Sequence, residues 1–150
     1  MTSDRIENNV RLRAPRARVW RALTDSDRFS QWFGVTMNGP FLPGARVTGK
    51  PARSEYAHLA FEIVIERMEP ETLFSWRWHP SALDPAVAYS AEPSTLVEFT
   101  LEDAPEGTIL KVVESGFDGI PLTRRLQAFG GNERGWEIQI GQIRHYVEAN

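Results

Sequence analysis

Apolar residues near the end of the chain recur with a helical period. Trp136, Ile140, Ile143 and Val147 follow one another at spacings of four, three and four, which places them on one helical face. Gln139 and Tyr146 flank that face, and Glu137, Gln142, His145 and Glu148 lie away from it. Upstream the period changes to two. Leu59, Phe61, Ile63 and Ile65 alternate with polar positions that include Glu62 and Glu66. Phe74, Trp76 and Trp78 share a face opposite Ser75 and Arg77. Thr95, Val97, Phe99 and Leu101 form the next such row, and Leu110, Val112 and Glu114 the last. This alternation predicts antiparallel strands with one dry and one wet side.

The opening segment is a compact unit. Ile6, Val10 and Leu12 give a first strand over Arg5 to Arg13. Ala14-Pro15 ends it, and Pro15 suits the first turn of a helix carrying Val19, Trp20 and Leu23. Asp25 suits the N-cap of a second short helix with Phe29, Trp32 and Phe33. Gly34 to Pro43 reads as a loop with turns at Asn38-Gly39-Pro40 and Pro43-Gly44, in which Phe41 is a core plug or a gate. Ala45 to Gly49 is a weak strand. Glu69-Pro70-Glu71 and Asp103 to Gly107 are turns. The link over residues 80–93 has little periodicity and reads as a lid, a dimer contact or an insertion. Gly130-Gly131 is expected to break or kink a helix that starts near Thr123, with Asn132 capping the main segment after it.

The architecture that follows is α+β. A long C-terminal helix lies over a curved antiparallel sheet, with two short helices after the first strand. Aromatics supplied from both sides hold a pocket open between sheet and helix.

Composition narrows the function classes. A chain of 150 residues fits one domain over residues 1–150. With no cysteine, disulfides, thiolate metal sites and cysteine nucleophiles are excluded. Net charge is −3 with acids and bases intermixed, so nucleic acid is not an expected partner. Arg11, Arg13, Arg16, Arg18 and Arg21 read as a solvated face. No apolar run approaches the roughly 18 residues needed to span a bilayer, and the N-terminus has no signal-like apolar stretch. The expectation is a soluble, cytoplasmic protein without a membrane partner.

Five tryptophans exceed what filling a small core requires and favour a wide interior. The cavity candidates are Trp32, Phe61, Phe74, Trp76, Trp78, Phe99, Trp136 and Ile140. Glu114 joins them because strand parity turns it toward the helix with Leu110 and Val112. An inward carboxylate must be paired or hydrogen-bonded. His58, His79 and His145 lack metal-ligand spacing and read as solvated. Ser115 has no nucleophile-elbow context. The glycines form no phosphate loop or dinucleotide fingerprint. No catalytic constellation, metal or cofactor is expected. Ile138 falls off the main stripe and is read as a surface residue or a homodimer contact.

Three pieces stand in one order: Ala14-Pro15, Val19-Trp20, Ala22 to Asp25 and Trp32-Phe33; then Leu73-Phe74-Ser75-Trp76; then Glu114 to Phe117, Gly135-Trp136 and a helix ending in Tyr146. Together they resemble the small bacterial proteins similar to the C-terminal domain of the heat-shock protein 90 ATPase activator, within the START and Bet v 1-like (SRPBCC) superfamily. The resemblance implies a helix-grip fold with a cavity between sheet and helix. Members bind lipids, sterols, hormones or polyketides, and some are cyclases or hydrolases. Three expectations follow: binding of a small hydrophobic or aromatic molecule, a cyclase- or hydrolase-type enzyme using an inward carboxylate, or a chaperone-linked module. The chain lacks room for the N-terminal domain of the eukaryotic activator, which weighs against the third.

Overall fold

A computed structural model describes residues 4–52, 61–80 and 92–149. Strand β1 (Arg5–Leu12) leads through Pro15 into helices α1 (Arg16–Thr24) and α2 (Ser26–Phe33). Pro15 is the residue before α1, with extended backbone, rather than its first helical position. Asp25 caps α2, its side chain accepting from the Asp27 and Arg28 amides, and Gly34 ends it in the left-handed region at φ 85°, where glycine is favoured. That tight stop fixes Phe33 at the end of α2.

Strands β2 (Val35–Met37), β3 (Arg46–Pro51), β4 (Phe61–Glu69), β5 (Leu73–Trp78), β6 (Thr95–Ala104) and β7 (Gly107–Ser115) follow. The sheet order is β1-β7-β6-β5-β4-β3-β2, with every pairing antiparallel. The segment read as a loop from Gly34 to Pro43 thus contains a short strand. Val35 and Met37 are buried, an apolar-polar-apolar triplet too short to stand out from its turn-rich surroundings. Phe41 is a core plug: it is buried, stacks on Phe74 and meets Phe29 edge-on. The middle of the 80–93 link lies outside the described residues, as do His58 and Leu59. The ends of that link are held by α3 (Leu122–Ala149). There Arg124 donates to the Pro80 carbonyl at 3.0 Å and to the Glu92 carboxylate at 2.8 Å.

Helix α3 runs unbroken for 28 residues, so Gly130-Gly131 neither breaks the helix nor frees Asn132 to cap it. A glycine inside a helix costs about 1 kcal/mol relative to alanine, a penalty that packing on both sides offsets. Before the pair, Ala128 is buried and Phe129 meets Phe117 edge-on at 5.1 Å, tying α3 to the 3-10 turn Phe117–Gly119. After it, Trp136, Ile143 and Val147 are buried. Asn132 falls on this stripe, four residues beyond Ala128 and four short of Trp136.

The opening and the end of α3 are clasped. The Arg13 amide donates to Glu148 Oε2 at 2.9 Å, and Arg18 donates to the Val147 carbonyl. The Arg13 amide bond, opposed by some desolvation and helped by the Arg144 charge, holds the Glu148 carboxyl below its ordinary pKa. The inner face of the sheet, α1, α2 and the buried stripe of α3 enclose one aromatic core. This curved seven-stranded sheet closed on a long C-terminal helix is the helix-grip architecture. Among the described residues no helix is long and apolar enough to cross a membrane.

Candidate functional site

Strand register explains how the site is built. Trp78 on β5 lies directly across from Thr95 on β6, and Val97, two residues along, faces Glu114 on β7. Period-two alternation puts all four side chains on the inner face, so Trp78, Thr95 and Glu114 are near neighbours across three strands. On α3, Asn132, Trp136 and Gln139 succeed one another at four and three residues and present one face to those strands.

Glu114 is fully buried and is where these elements converge. Its Oε2 accepts from Thr95 Oγ1 at 2.6 Å and from Trp78 Nε1 at 2.7 Å. Its Oε1 accepts from Trp136 Nε1 at 2.8 Å. Asn132 Nδ2 bridges the two oxygens at 2.9 and 3.1 Å. The indoles and the amide nitrogen can only donate, and an ionised carboxylate can only accept. The donor set therefore matches a carboxylate, and it consists of neutral groups. The inward direction expected from strand parity holds, and the hydrogen-bonding partners are two indoles, an amide and a hydroxyl.

A cleft of about 220 Å³ opens beside this cluster, lined by Phe33, Phe61, Trp78, Asn132, Gly135, Trp136 and Gln139. The walls derive from the end of α2, the starts and ends of two strands, and one face of α3. Phe61 and Trp78 meet edge-on at 5.9 Å, and Trp78 and Trp136 lie 5.8 Å apart. Trp78, Asn132 and Trp136 turn polar edges to Glu114, so the carboxylate stands behind the wall rather than in the lumen. A Cβ at Gly135 would meet nothing within 4 Å, so the helix surface there is open to the cleft. Gln139 donates to the Phe33 carbonyl at 2.9 Å and joins the two helices across one end. A larger recess of about 410 Å³ lies by Ala14 and Gly107. It has no aromatic wall and is edged by the Arg16–Asp103 ion pair.

Most of the residues expected to line a cavity fall into two groups, with Glu114 behind the wall and Ile140 apart from both. Phe61, Trp78 and Trp136 are cleft walls. Trp32, Phe74, Trp76 and Phe99 are buried in the solid core, where Trp76 packs on Phe29, Phe74 and Phe99 and Trp32 donates to the Ala22 carbonyl. Ile140 is half-buried against that core and is not among the lining residues. Period-two parity selects the inner face of a strand but not the position along it, and only the strand ends border the cleft. Phe33, Asn132, Gly135 and Gln139 were not among the cavity candidates. Of these four, Asn132 alone carries a sequence signal, as a polar residue between Ala128 and Trp136 on the buried helical stripe.

An antiparallel sheet gripping a long helix, with an aromatic cleft between them, defines a helix-grip protein of the SRPBCC type. The chain belongs to the Activator of Hsp90 ATPase homolog 1-like protein family, whose match spans residues 13–148. Among solved structures it is similar to DynU16, a protein of the dynemicin biosynthetic locus. Identity is 27% and TM-score 0.74, over 98% of this chain and 48% of that one, so this chain spans about half the length of DynU16. It also resembles MLL2253 from Mesorhizobium loti, with 21% identity and TM-score 0.77 over 97% of this chain and 98% of that one. The Aha1 dimer from Colwellia psychrerythraea shares 15% identity and TM-score 0.73, over 99% and 97% of the two chains. A comparison with curated protein sequences finds no match.

Proposed function

We propose that the protein binds a small hydrophobic or aromatic molecule in the cleft between sheet and α3. The observation that carries this reading is the composition of the wall. Phe33, Phe61, Trp78 and Trp136 surround about 220 Å³, and the indole N–H groups that a close ligand would have to satisfy are already bonded to Glu114. The lumen therefore offers aromatic carbon at little polar cost. Gly135 adds to the argument. Glycine in a helix interior is unfavourable, no neighbour crowds its missing Cβ, and the space it leaves belongs to the cleft.

Titration with the neutral fluorescent probe N-phenyl-1-naphthylamine tests the proposal. The wild type is expected to enhance probe emission, with quenching of its own tryptophans. Gly135→Leu, which fills the lumen, is expected to bind at least ten-fold more weakly while keeping its circular dichroism. Absence of binding, or equal binding by Gly135→Leu, overturns the reading.

The second reading is a cyclase-type enzyme acting on a molecule held in the same cleft. The 27% identity to a protein of the dynemicin biosynthetic locus favours it. In that case Glu114 positions Trp78, Asn132 and Trp136 and does not itself reach the substrate, because it lies outside the lumen with both oxygens engaged. A chaperone-linked role rests on family membership, and its test is stimulation of an Hsp90-type ATPase.

A further inference from the structure

We infer that the cleft selects a small organic cation of the methylated or quaternary ammonium class, drawn in by the buried charge of Glu114 and held against the aromatic walls. This rests on the binding reading above and narrows its ligand class.

Three observations converge. Among the described residues, four of the seven that line the cleft are aromatic and none of the seven carries a charge. Aromatic rings present a negative face, and a ring-lined pocket is a recognised way to hold an alkylated ammonium group.

The second observation is a buried carboxylate held by neutral donors among the described residues. Glu114 is fully buried, and no lysine, arginine or histidine among the described residues pairs with it. Its partners are the neutral groups of Trp78, Thr95, Asn132 and Trp136. Indole and amide N–H groups on both oxygens suit the carboxylate form, and hydrogen bonds from neutral groups add no counter-charge. In a poorly screened interior that charge acts on whatever enters the adjoining space. That field favours a cation over a neutral molecule of the same shape and disfavours an anion, on top of the apolar contact all three make with the walls.

The third observation links the other two. Trp78 and Trp136 are at once cleft walls and donors to Glu114. Donation to a carboxylate polarises an indole and shifts electron density into its ring. That shift strengthens the negative face that a cation seeks.

The test compares shape-matched molecules that differ in charge, by titration of the full chain with two-dimensional NMR. Choline is the cation, 3,3-dimethylbutan-1-ol its neutral counterpart with carbon in place of nitrogen, and 3,3-dimethylbutanoate the anion. Choline is expected to bind at least five-fold more tightly than the alcohol, and the anion most weakly. The indole N–H signals of Trp78 and Trp136 are expected to shift with choline. Phe61→Leu keeps apolar bulk at a half-buried strand end but removes a ring. It is expected to weaken choline about three- to five-fold and the alcohol by a clearly smaller factor.

Dihexanoylphosphatidylcholine separates the sources of such a cation. Tighter binding than choline supports a lipid headgroup, and weaker binding supports a free cation. Equal affinity for choline and the alcohol overturns the inference, as does binding of neither or an equal loss of both in Phe61→Leu. Binding of N-phenyl-1-naphthylamine that is lost in Gly135→Leu would then leave the broader reading standing, and its absence would remove both.

Discussion

The indole nitrogen of Trp136 lies 2.8 Å from Oε1 of Glu114, a bond that fastens the long helix to the seventh strand. With Trp78 and Thr95 on the sheet and Asn132 on the helix, it makes one carboxylate the shared acceptor of both layers. Glu114→Gln replaces one acceptor oxygen by an amide that can only donate. At least one donor then faces another donor in a sealed space. Leaving a buried polar group unsatisfied costs about 1–3 kcal/mol, so a loss of about that size is expected in urea unfolding. Unchanged stability would show that the cluster is not what holds the layers together.

Gly135 and Gly141 both lie inside α3 with nothing within 4 Å of an added Cβ. Either glycine-to-alanine change is expected to stabilise the protein by about 0.5–1 kcal/mol through helix propensity. Only Gly135→Ala narrows the cleft. Thermal melts should therefore move upward in both variants, while probe affinity falls in Gly135→Ala and stays constant in Gly141→Ala.

Gly107 behaves in the opposite way. A Cβ there would sit 1.9 Å from the Leu12 carbonyl oxygen, a backbone atom that cannot turn aside. Gly107→Ala must push β1 away from β7, where Leu12 pairs with Thr108. Destabilisation of more than about 2 kcal/mol is expected, measurable as a lower unfolding midpoint. A midpoint within error of the wild type would refute the close approach.

The Glu148 carboxyl titrates below its ordinary range because it accepts the Arg13 amide and lies near Arg144. A carboxyl whose pKa is lower in the folded state adds stability above its unfolded pKa. That stability is lost as pH falls through the folded value. Wild type and Glu148→Gln are therefore expected to differ by a constant, small amount at neutral pH and to converge on acidification. Stability measured against pH for both proteins checks this, and a gap that widens in acid would contradict it.

Much of the sheet was legible because half-buried strands announce themselves. Val97, Phe99 and Leu101 alternate with polar neighbours and are all buried. The same parity turned Glu114 inward. The continuity of α3 was less legible, since Gly130-Gly131 is locally unfavourable and the contact that stabilises the preceding turn comes from Phe117, on a separate 3-10 turn. The site was legible only in part. Trp78 and Phe74 have the same parity on one strand, yet one borders the cleft and the other is sealed under Phe41. That distinction depends on where α2 stops and where α3 crosses, which no local pattern contains. Phe33 and Gln139 join the site through a helix-to-helix hydrogen bond that exists only once both helices are placed.

The pairing of the first strand with the last has a kinetic consequence. Thr108 on β7 donates to the Ala14 carbonyl, 94 residues earlier in the chain, and all of β1 pairs with β7 alone. Pairing β1 with β7 closes a loop of chain that holds both short helices and all the other strands. Non-local closures of this kind slow folding, so docking of β1 belongs among the late steps. Until then β7 keeps one open edge, and the arrival of the earliest residues completes the barrel-like wrap around the helix.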